Sequence, residues 1–134
     1  MSALSDYLEN HIIDSLFRNT TFVRPANIYL ALFTAAPSDA GGGTEVTGGS
    51  YARVAVPTGA SSGWDASSGG ATANTSVVTF PTATANWGTI THVGLFDAST
   101  GGNLLFHGAL AASKTINAGD IFRFNAGDLD VSLT

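Results

Sequence analysis

The sequence predicts a mainly β protein: an antiparallel β-sandwich of the jelly-roll or immunoglobulin-like (Ig-like) kind, with about eight strands, preceded by one N-terminal amphipathic helix. The strongest pattern is a pair of apolar runs, 90–96 and 104–110, separated by turn-forming residues. Turn signals recur about every 8 to 12 residues along the rest of the chain, and only the N-terminal segment has helical periodicity. We therefore expect a single domain over residues 1–134, with the helix within 1–20 and the β-body over 26–134.

The helix is predicted over residues 3–18, where apolar residues recur every fourth position and others flank them. Ser2 or Ser5 is suited to cap its start, and Pro25 prevents its continuation. Because a helix of this length is marginal alone, its apolar stripe must pack either on the protein's own sheet or on a neighbouring subunit. The candidate assembly contacts on this stripe are Leu4, Leu8, Ile12, Leu16 and Phe17.

The β-body begins with residues 28–34, which are apolar on both faces and are therefore predicted to form a central strand. The later hairpin is also apolar on both faces, and its loop, 97–103, consists almost entirely of turn formers. Two Asn-Ala-Gly-Asp segments, 117–120 and 125–128, are predicted to form similar turns. The full set of predicted strands is 28–34, 51–56, 76–80, 90–96, 104–110, 114–116, 121–124 and 129–133.

Two stretches rich in Gly and Ser, 35–50 and 57–70, are predicted to be exposed loops, the first of them mobile. Trp64 interrupts the second stretch, where it either plugs a gap in the body or contacts a partner; packing is the favoured reading. The candidate exposed loop contacts are Asp39, Glu45 and Trp64.

The composition limits the classes of partner. Charged residues make up 11% of the chain and hydrophobic ones 44%, so small neutral polar groups must cover the surface. Such a surface is easily desolvated and favours burial against other subunits, with an ordinary monomer as the alternative. The net charge is −5, and five scattered Lys and Arg cannot form a face that neutralises phosphates, so no nucleic-acid partner is expected. The chain has no cysteine, no run long enough to span a membrane and no signal-peptide pattern, so we expect synthesis in a cytoplasm and no membrane partner.

The chain shows no pattern of catalytic or metal-ligating residues. His92 and His107 lie on facing arms of the hairpin, where we expect local polar contacts; a pH-sensitive subunit contact is the alternative. Carboxylates that could form a catalytic pair lie in glycine-rich loops, which hold geometry poorly. We therefore expect no enzymatic activity, no catalytic residue, no cofactor and no metal site.

Four stretches of the chain carry a further signal. They are LSDYLENHIIDSLFR at 4–18, IYLALFTAAPSDAGGGTEVTGGSYARVAV at 28–56, FPTATANWGTITHVGLFDASTGGNLLFHGAL at 80–110 and KTINAGDIFRFNAGDLDVSL at 114–133. Taken in this order, they resemble a family of small tailed-bacteriophage virion structural proteins, tail-fibre-like or head-decoration-like. The resemblance covers nearly the whole chain and implies a non-enzymatic component of a phage particle, located in the virion and assembled in the host cytoplasm.

Within that family resemblance, we expect a capsid decoration or cement protein that forms a homo-oligomer, with a trimer favoured. Its partners would be other phage virion proteins, either the major capsid protein or tail proteins. The alternative is a small tail-associated, tail-fibre-like protein whose exposed loops contact the host surface or its glycans. Exposed aromatic residues are few, which favours the decoration role over a sugar-binding one.

Overall fold

The computed structural model describes residues 3–59 and 63–133. Within these residues the chain forms one helix, α1 (Asp6–Phe17), and ten strands, all paired antiparallel. The strands are β1 (Ala3–Leu4), β2 (Asn27–Ala35), β3 (Thr44–Glu45), β4 (Val54–Pro57), β5 (Ala71–Ala73), β6 (Val78–Thr79), β7 (Gly88–Phe96), β8 (Leu104–Ile116), β9 (Arg123–Phe124) and β10 (Asp130–Ser132). The predicted mainly β, antiparallel fold with one N-terminal helix is confirmed.

The main sheet has six strands in the order β1-β8-β7-β2-β3, and β4 also pairs with β2. Two smaller sheets, β5 with β10 and β6 with β9, complete the β-body. Buried residues from the main sheet and from both small sheets form one hydrophobic core. An aromatic cluster of Phe80, Phe122 and Phe124 lies in this core, with edge-on contacts at centroid distances of 5.1 to 6.4 Å. The layers are therefore joined by side chains from both sides, as in a sandwich.

Strand β2 is central, as its sequence predicts. Leu32 pairs with Val93, so their side chains share the face that points into the core. Phe33 lies on the opposite face and is still only 3% exposed, because loops cover that side of the sheet. Both faces of β2 are thus buried, which explains its unbroken apolar sequence.

The predicted hairpin is formed by β7 and β8, joined by the loop 97–103. Asp97 closes this loop, since its carboxylate accepts hydrogen bonds from the backbone N–H and the side-chain amide of Asn103. Gly102 has φ +72°, and a Cβ there would lie 2.6 Å from the Asp97 carboxylate. The turn chemistry predicted from the sequence is therefore present in the structure.

Two features of the strands differ from the prediction. The segments 104–110 and 114–116 form one strand, β8, with a bulge in which residues 110–113 face the single residue Thr91. Strands β1, β3 and β5 contain only two or three residues each and were not predicted, because such short segments carry no periodic pattern.

The two Asn-Ala-Gly-Asp turns match each other, since in each turn the Asp carboxylate accepts the backbone N–H of the Asn.

The helix begins later than predicted, at Asp6 rather than residue 3. Ala3 and Leu4 instead pair with His107 and Phe106 of β8, so Leu4 belongs to a strand and not to the helical stripe. Ser5 is the N-cap: its side chain accepts the backbone N–H of Leu8 and donates to the Leu104 carbonyl at 2.5 Å. Ser2, the other predicted cap, lies outside the described residues.

Gly94 allows the rings of Phe33 and Phe96 to approach the sheet. A Cβ at this position would lie 2.8 Å from Cε1 of Phe33 and 3.0 Å from Cε1 of Phe96. We predict that Gly94→Ala lowers the free energy of unfolding by about 1–3 kcal/mol through overpacking, measured by urea denaturation. Phe33→Leu should relieve part of the clash. The loss of unfolding free energy in the double variant should therefore be smaller than the sum of the losses in the two single variants. Strictly additive losses would contradict this explanation.

Candidate functional site

The most connected polar cluster in the described chain is formed by Arg53, Glu45 and Tyr51. Arg53 binds Glu45 through two parallel hydrogen bonds, Nε to Oε2 at 2.9 Å and Nη2 to Oε1 at 2.8 Å. The Tyr51 hydroxyl donates to Glu45 Oε2 at 2.7 Å. The Arg53 side chain is 7% exposed and that of Glu45 is 24% exposed, so water screens the pair only in part.

Arg53 also joins this cluster to the β7–β8 hairpin. Its Nη1 donates to the backbone carbonyls of Ala98 and Gly101, at 2.9 and 2.8 Å. Its guanidinium carbon lies 3.8 Å from the ring centroid of Phe96, in cation–π geometry. One side chain thus ties the loop at Glu45 to the hairpin loop.

Tyr51 replaces a missing strand partner at the edge of β2. Strand β4 pairs with the first half of β2, and β3 pairs with its last residues. Between them, the backbone N–H of Leu32 donates to the Tyr51 hydroxyl at 3.0 Å, and the Leu32 carbonyl accepts from Val46. A buried backbone group that would otherwise lack a strand partner is therefore satisfied by a side chain.

The cluster shifts the pKa of two of its members. Burial by itself would raise the pKa of Glu45, but hydrogen bonds from Arg53 and Tyr51 and the Arg53 charge outweigh it, and the pKa is lowered. Burial, followed by the hydrogen bond to Glu45, raises the pKa of Tyr51 above its ordinary value. Glu45 is therefore the charged acceptor of the cluster and Tyr51 a protonated donor at neutral pH.

Beside this cluster lies an open cleft of about 650 Å³. Three segments border it: the first turn of α1, the glycine-rich loop around 39–43, and the hairpin loop. The rings of Phe33 and Phe96, stacked with centroids 6.1 Å apart, form part of its apolar lining. The cleft is thus built from segments that are remote in sequence.

Asp39 connects two borders of the cleft. Its carboxylate lies 2.7 Å from Nε2 of His107 on β8, and its backbone carbonyl accepts from the N–H of Asp6. His92 lies on the neighbouring strand and contacts the Thr91 hydroxyl at 2.8 Å instead. The two hairpin histidines therefore have separate side-chain partners and do not form a shared site.

The structure separates the helical residues singled out by the sequence. Leu8 is buried and Ile12 half-buried against the β-body, whereas Leu16 is 73% exposed and Phe17 80% exposed. Ile13 is 54% exposed and lies three and four positions before these two, so the three side chains are neighbours on the exposed part of α1. Leu16 also borders an apolar groove beside the inward-facing Leu8 and Ile12. We call Ile13, Leu16 and Phe17 the outer apolar face.

The predicted loop contacts occupy different environments. Asp39 is exposed at the cleft, whereas Glu45 is engaged by Arg53 and Tyr51 as described. Trp64 is half-buried and packs against the core, and its indole N–H is buried without a hydrogen-bond partner in the part of the chain that the structure describes. Loop 35–50 is partly structured, since it contains β3 and the buried Val46.

Sequence reasoning did not find the cluster. Arg53 and Tyr51 were placed only within the predicted strand 51–56, and Asn74 was not singled out. Asn74 is 1% exposed, and its side chain bonds the carbonyls of Ser76 and Asn125 and the N–H of Leu129. One feature of the sequence could have indicated it. The chain has only five basic residues, and an Arg that lies between apolar strand residues needs a polar partner.

Neither a metal centre nor a membrane span is visible in the described ranges. Residues 3–59 and 63–133 contain no group of three or more His, Asp or Glu side chains placed to hold a metal ion. The helix within those same residues falls short of the length and apolarity needed to cross a bilayer.

The lowered pKa of Glu45 predicts a pH-dependent contribution to stability. Ionised Glu45 stabilises the fold fully above the ordinary carboxyl pKa of 4.5, and this contribution is lost as pH falls through the lowered folded value. We expect Glu45→Gln to reduce the free energy of unfolding at pH 7 by about 1–3 kcal/mol, with a much smaller difference from wild type at about pH 3. Urea denaturation at both pH values measures it. Glu9→Gln, on the exposed helix surface, is the control, and a difference for Glu45→Gln that did not change with pH would contradict the prediction.

The comparisons with known proteins give one family. The chain matches the family model described as Podophage GP4 fiber I protein gp80 over residues 3–132, from the first residue of β1 to the last residue of β10. No curated protein matches the sequence. The match covers both the hydrogen-bonded cluster and the cleft beside it, and it confirms the predicted relationship to virion proteins of tailed phages. The chain belongs to the family of Podophage GP4 fiber I protein gp80 and is a tailed-phage virion structural protein.

Proposed function

We propose that this protein is a non-enzymatic structural subunit of the fibre apparatus of a podophage particle, held on its neighbours by the outer apolar face of α1. The observation that carries the proposal is the exposure of Ile13, Leu16 and Phe17 on one side of a helix whose other side is packed on the β-body. An apolar face of this kind is typical of a protein–protein contact. The family description favours the fibre over other places on the particle.

The helix is suited to this role because its base is fixed. Ser5 caps α1 and bonds the Leu104 carbonyl, and the N–H of Ser5 donates to Leu105, so the first turn is tied to β8. The exposed apolar residues lie at the other end, in the last two turns. A fixed helix loses little conformational freedom when its free end binds, which favours affinity.

A second candidate is the capsid decoration or cement role that the sequence analysis favours. It is supported by the single core shared by the main sheet and both small sheets, which suits a knob better than a shaft. In both roles we propose a homo-oligomer, with three copies expected on sequence grounds, and native mass spectrometry of the purified protein measures this number. Both roles place the protein among the other structural proteins of the virion.

Copy number separates the two candidates. Quantitative mass spectrometry of purified virions, with the major capsid protein as internal standard, should give a few to some tens of copies per particle for a fibre subunit. Hundreds of copies would reject the fibre role in favour of capsid decoration. Absence from washed particles would reject both.

The outer apolar face gives a second prediction. We expect the double variant Leu16→Ser/Phe17→Ser to remain folded, because both side chains are largely exposed, and to be lost from virions by at least about tenfold. The assay supplies each variant in trans to a phage that lacks the protein and measures incorporation in purified particles. Val77→Ser removes an apolar side chain that is 52% exposed elsewhere on the protein and is the matched control. Normal incorporation of the double variant would reject the proposed contact.

A further inference from the structure

Exposed apolar side chains are concentrated in one region of the protein. Seven large apolar side chains are exposed among the described residues, and five of them lie on α1, on the segment 18–24 that follows it, or at the end of the described chain. These five are Ile13, Leu16, Phe17, Val23 and Leu133. Such a concentration is typical of a surface that another protein covers.

An apolar groove of about 440 Å³ lies within this region, between α1 and the β-body, and we call it the α1 groove. Ser15 is the only polar residue in its lining among the described residues. Such a groove offers few hydrogen bonds to a polar ligand, so an apolar side chain is the occupant that suits it. Its apolar lining consists of Leu8, Ile12, Leu16, Phe22, Phe106 and Leu133.

Two apolar side chains next to the groove are even more exposed than those that line it. Phe17 and Val23 are each 80% exposed, and each is followed directly by an arginine. Both arginines, Arg18 and Arg24, are exposed, and neither guanidinium forms an ion pair with another described residue. We call Phe17, Arg18, Val23 and Arg24 the basic apolar patch.

The charges beside the groove are opposite in sign to those of the basic apolar patch. Both α1 and residues 125–133 border the groove, and both contain acidic residues but neither Lys nor Arg. The patch holds two of the five basic residues of the chain. Copies with a net charge of −5 repel one another, and a contact between the patch of one copy and the acidic border of another offsets part of this repulsion.

We propose that the α1 groove is a self-association site, which receives Phe17 of a second copy of this chain. The ring of Phe17 fills the apolar groove, and Arg18 and Arg24 lie against its acidic border. Within a single copy the ring is 80% exposed and leaves the groove of its own chain open. The inference rests on the proposed attachment through α1 and identifies the neighbour as another copy.

Two variants that each lack one half of the contact test this inference. Phe17→Asp removes the ring and keeps the groove, whereas Leu133→Lys places a charge in the groove and keeps the patch. In analytical ultracentrifugation we expect the wild type to associate, each variant alone to be monomeric, and an equimolar mixture of the two to form a 1:1 pair. Val77→Asp, at an exposed apolar position elsewhere, should associate as the wild type does.

A thermal melt of each variant shows that the fold is retained. A monomeric wild type, a mixture that stays monomeric, or a single variant that associates like the wild type would each overturn the inference. NMR gives the position of the contact: methyl-labelled Phe17→Asp, titrated with unlabelled Leu133→Lys, should show shifted signals for Leu8, Ile12 and Leu133. Shifts confined to methyl groups outside the α1 groove would contradict the assignment.

The charges of the patch are tested with the ring in place. Arg18→Ser/Arg24→Ser should raise the dissociation constant between copies at least about tenfold at low salt, because the attraction to the acidic border is lost. Added salt should weaken association of the wild type more than that of this variant. Arg123→Ser, which removes an exposed arginine elsewhere, is the control. Equal dissociation constants for the double variant and the wild type would overturn the inference.

The failures of the two proposals are distinguishable. Self-association is measured on the purified protein, whereas attachment is measured by incorporation of the Leu16→Ser/Phe17→Ser variant into virions. A protein that is monomeric in solution but needs these side chains for incorporation would overturn this inference alone. Self-association through the α1 groove, together with normal incorporation of that variant, would overturn the proposed attachment alone.

Discussion

The bidentate contact between Arg53 and Glu45 is the interaction on which the arrangement of β3, the segment before β4 and the hairpin loop depends. Through Arg53 it joins β3, the segment before β4 and the β7–β8 loop. A partly buried ion pair stabilises a protein only when the remaining polar atoms are also satisfied. Here the Tyr51 hydroxyl donates to Glu45, and two backbone carbonyls accept from Nη1 of Arg53. Loss of one partner therefore leaves several groups of the cluster unpaired.

The same contact also forms part of the wall of the cleft beside α1. Arg53 lines the cleft, but its guanidinium bonds Glu45 and two carbonyls of the hairpin loop inside the protein. The side chain that holds the two loops together therefore also forms part of the wall of the cleft. The cleft borders the first turn of α1, whereas the outer apolar face lies in the last two turns.

The parts of the fold that the sequence predicts are those specified by neighbouring residues. The hairpin, the helix and the two Asn-Ala-Gly-Asp turns each depend on contacts within a few residues, and each is present in the structure. The cluster was not predictable in this way: Arg53 reaches carbonyls 45 and 48 residues away, and Glu45 lies in a stretch whose composition indicates only a loop. The helix start was misplaced for the same reason, because Ala3 and Leu4 pair with a strand about a hundred residues later.

That long-range pairing has a consequence for synthesis. The hydrogen bond from Ser5 to the Leu104 carbonyl spans 99 residues, so the anchor of α1 does not exist until the ribosome has made the hairpin. At about 5–20 residues per second, the helix spends some 5 to 20 seconds without its docking strand. During that interval Leu8 is exposed together with Leu16 and Phe17, and the nascent chain presents a wider apolar stripe than the finished protein does. Cytosolic chaperones that bind such stripes would therefore meet this chain early, before the last strands emerge.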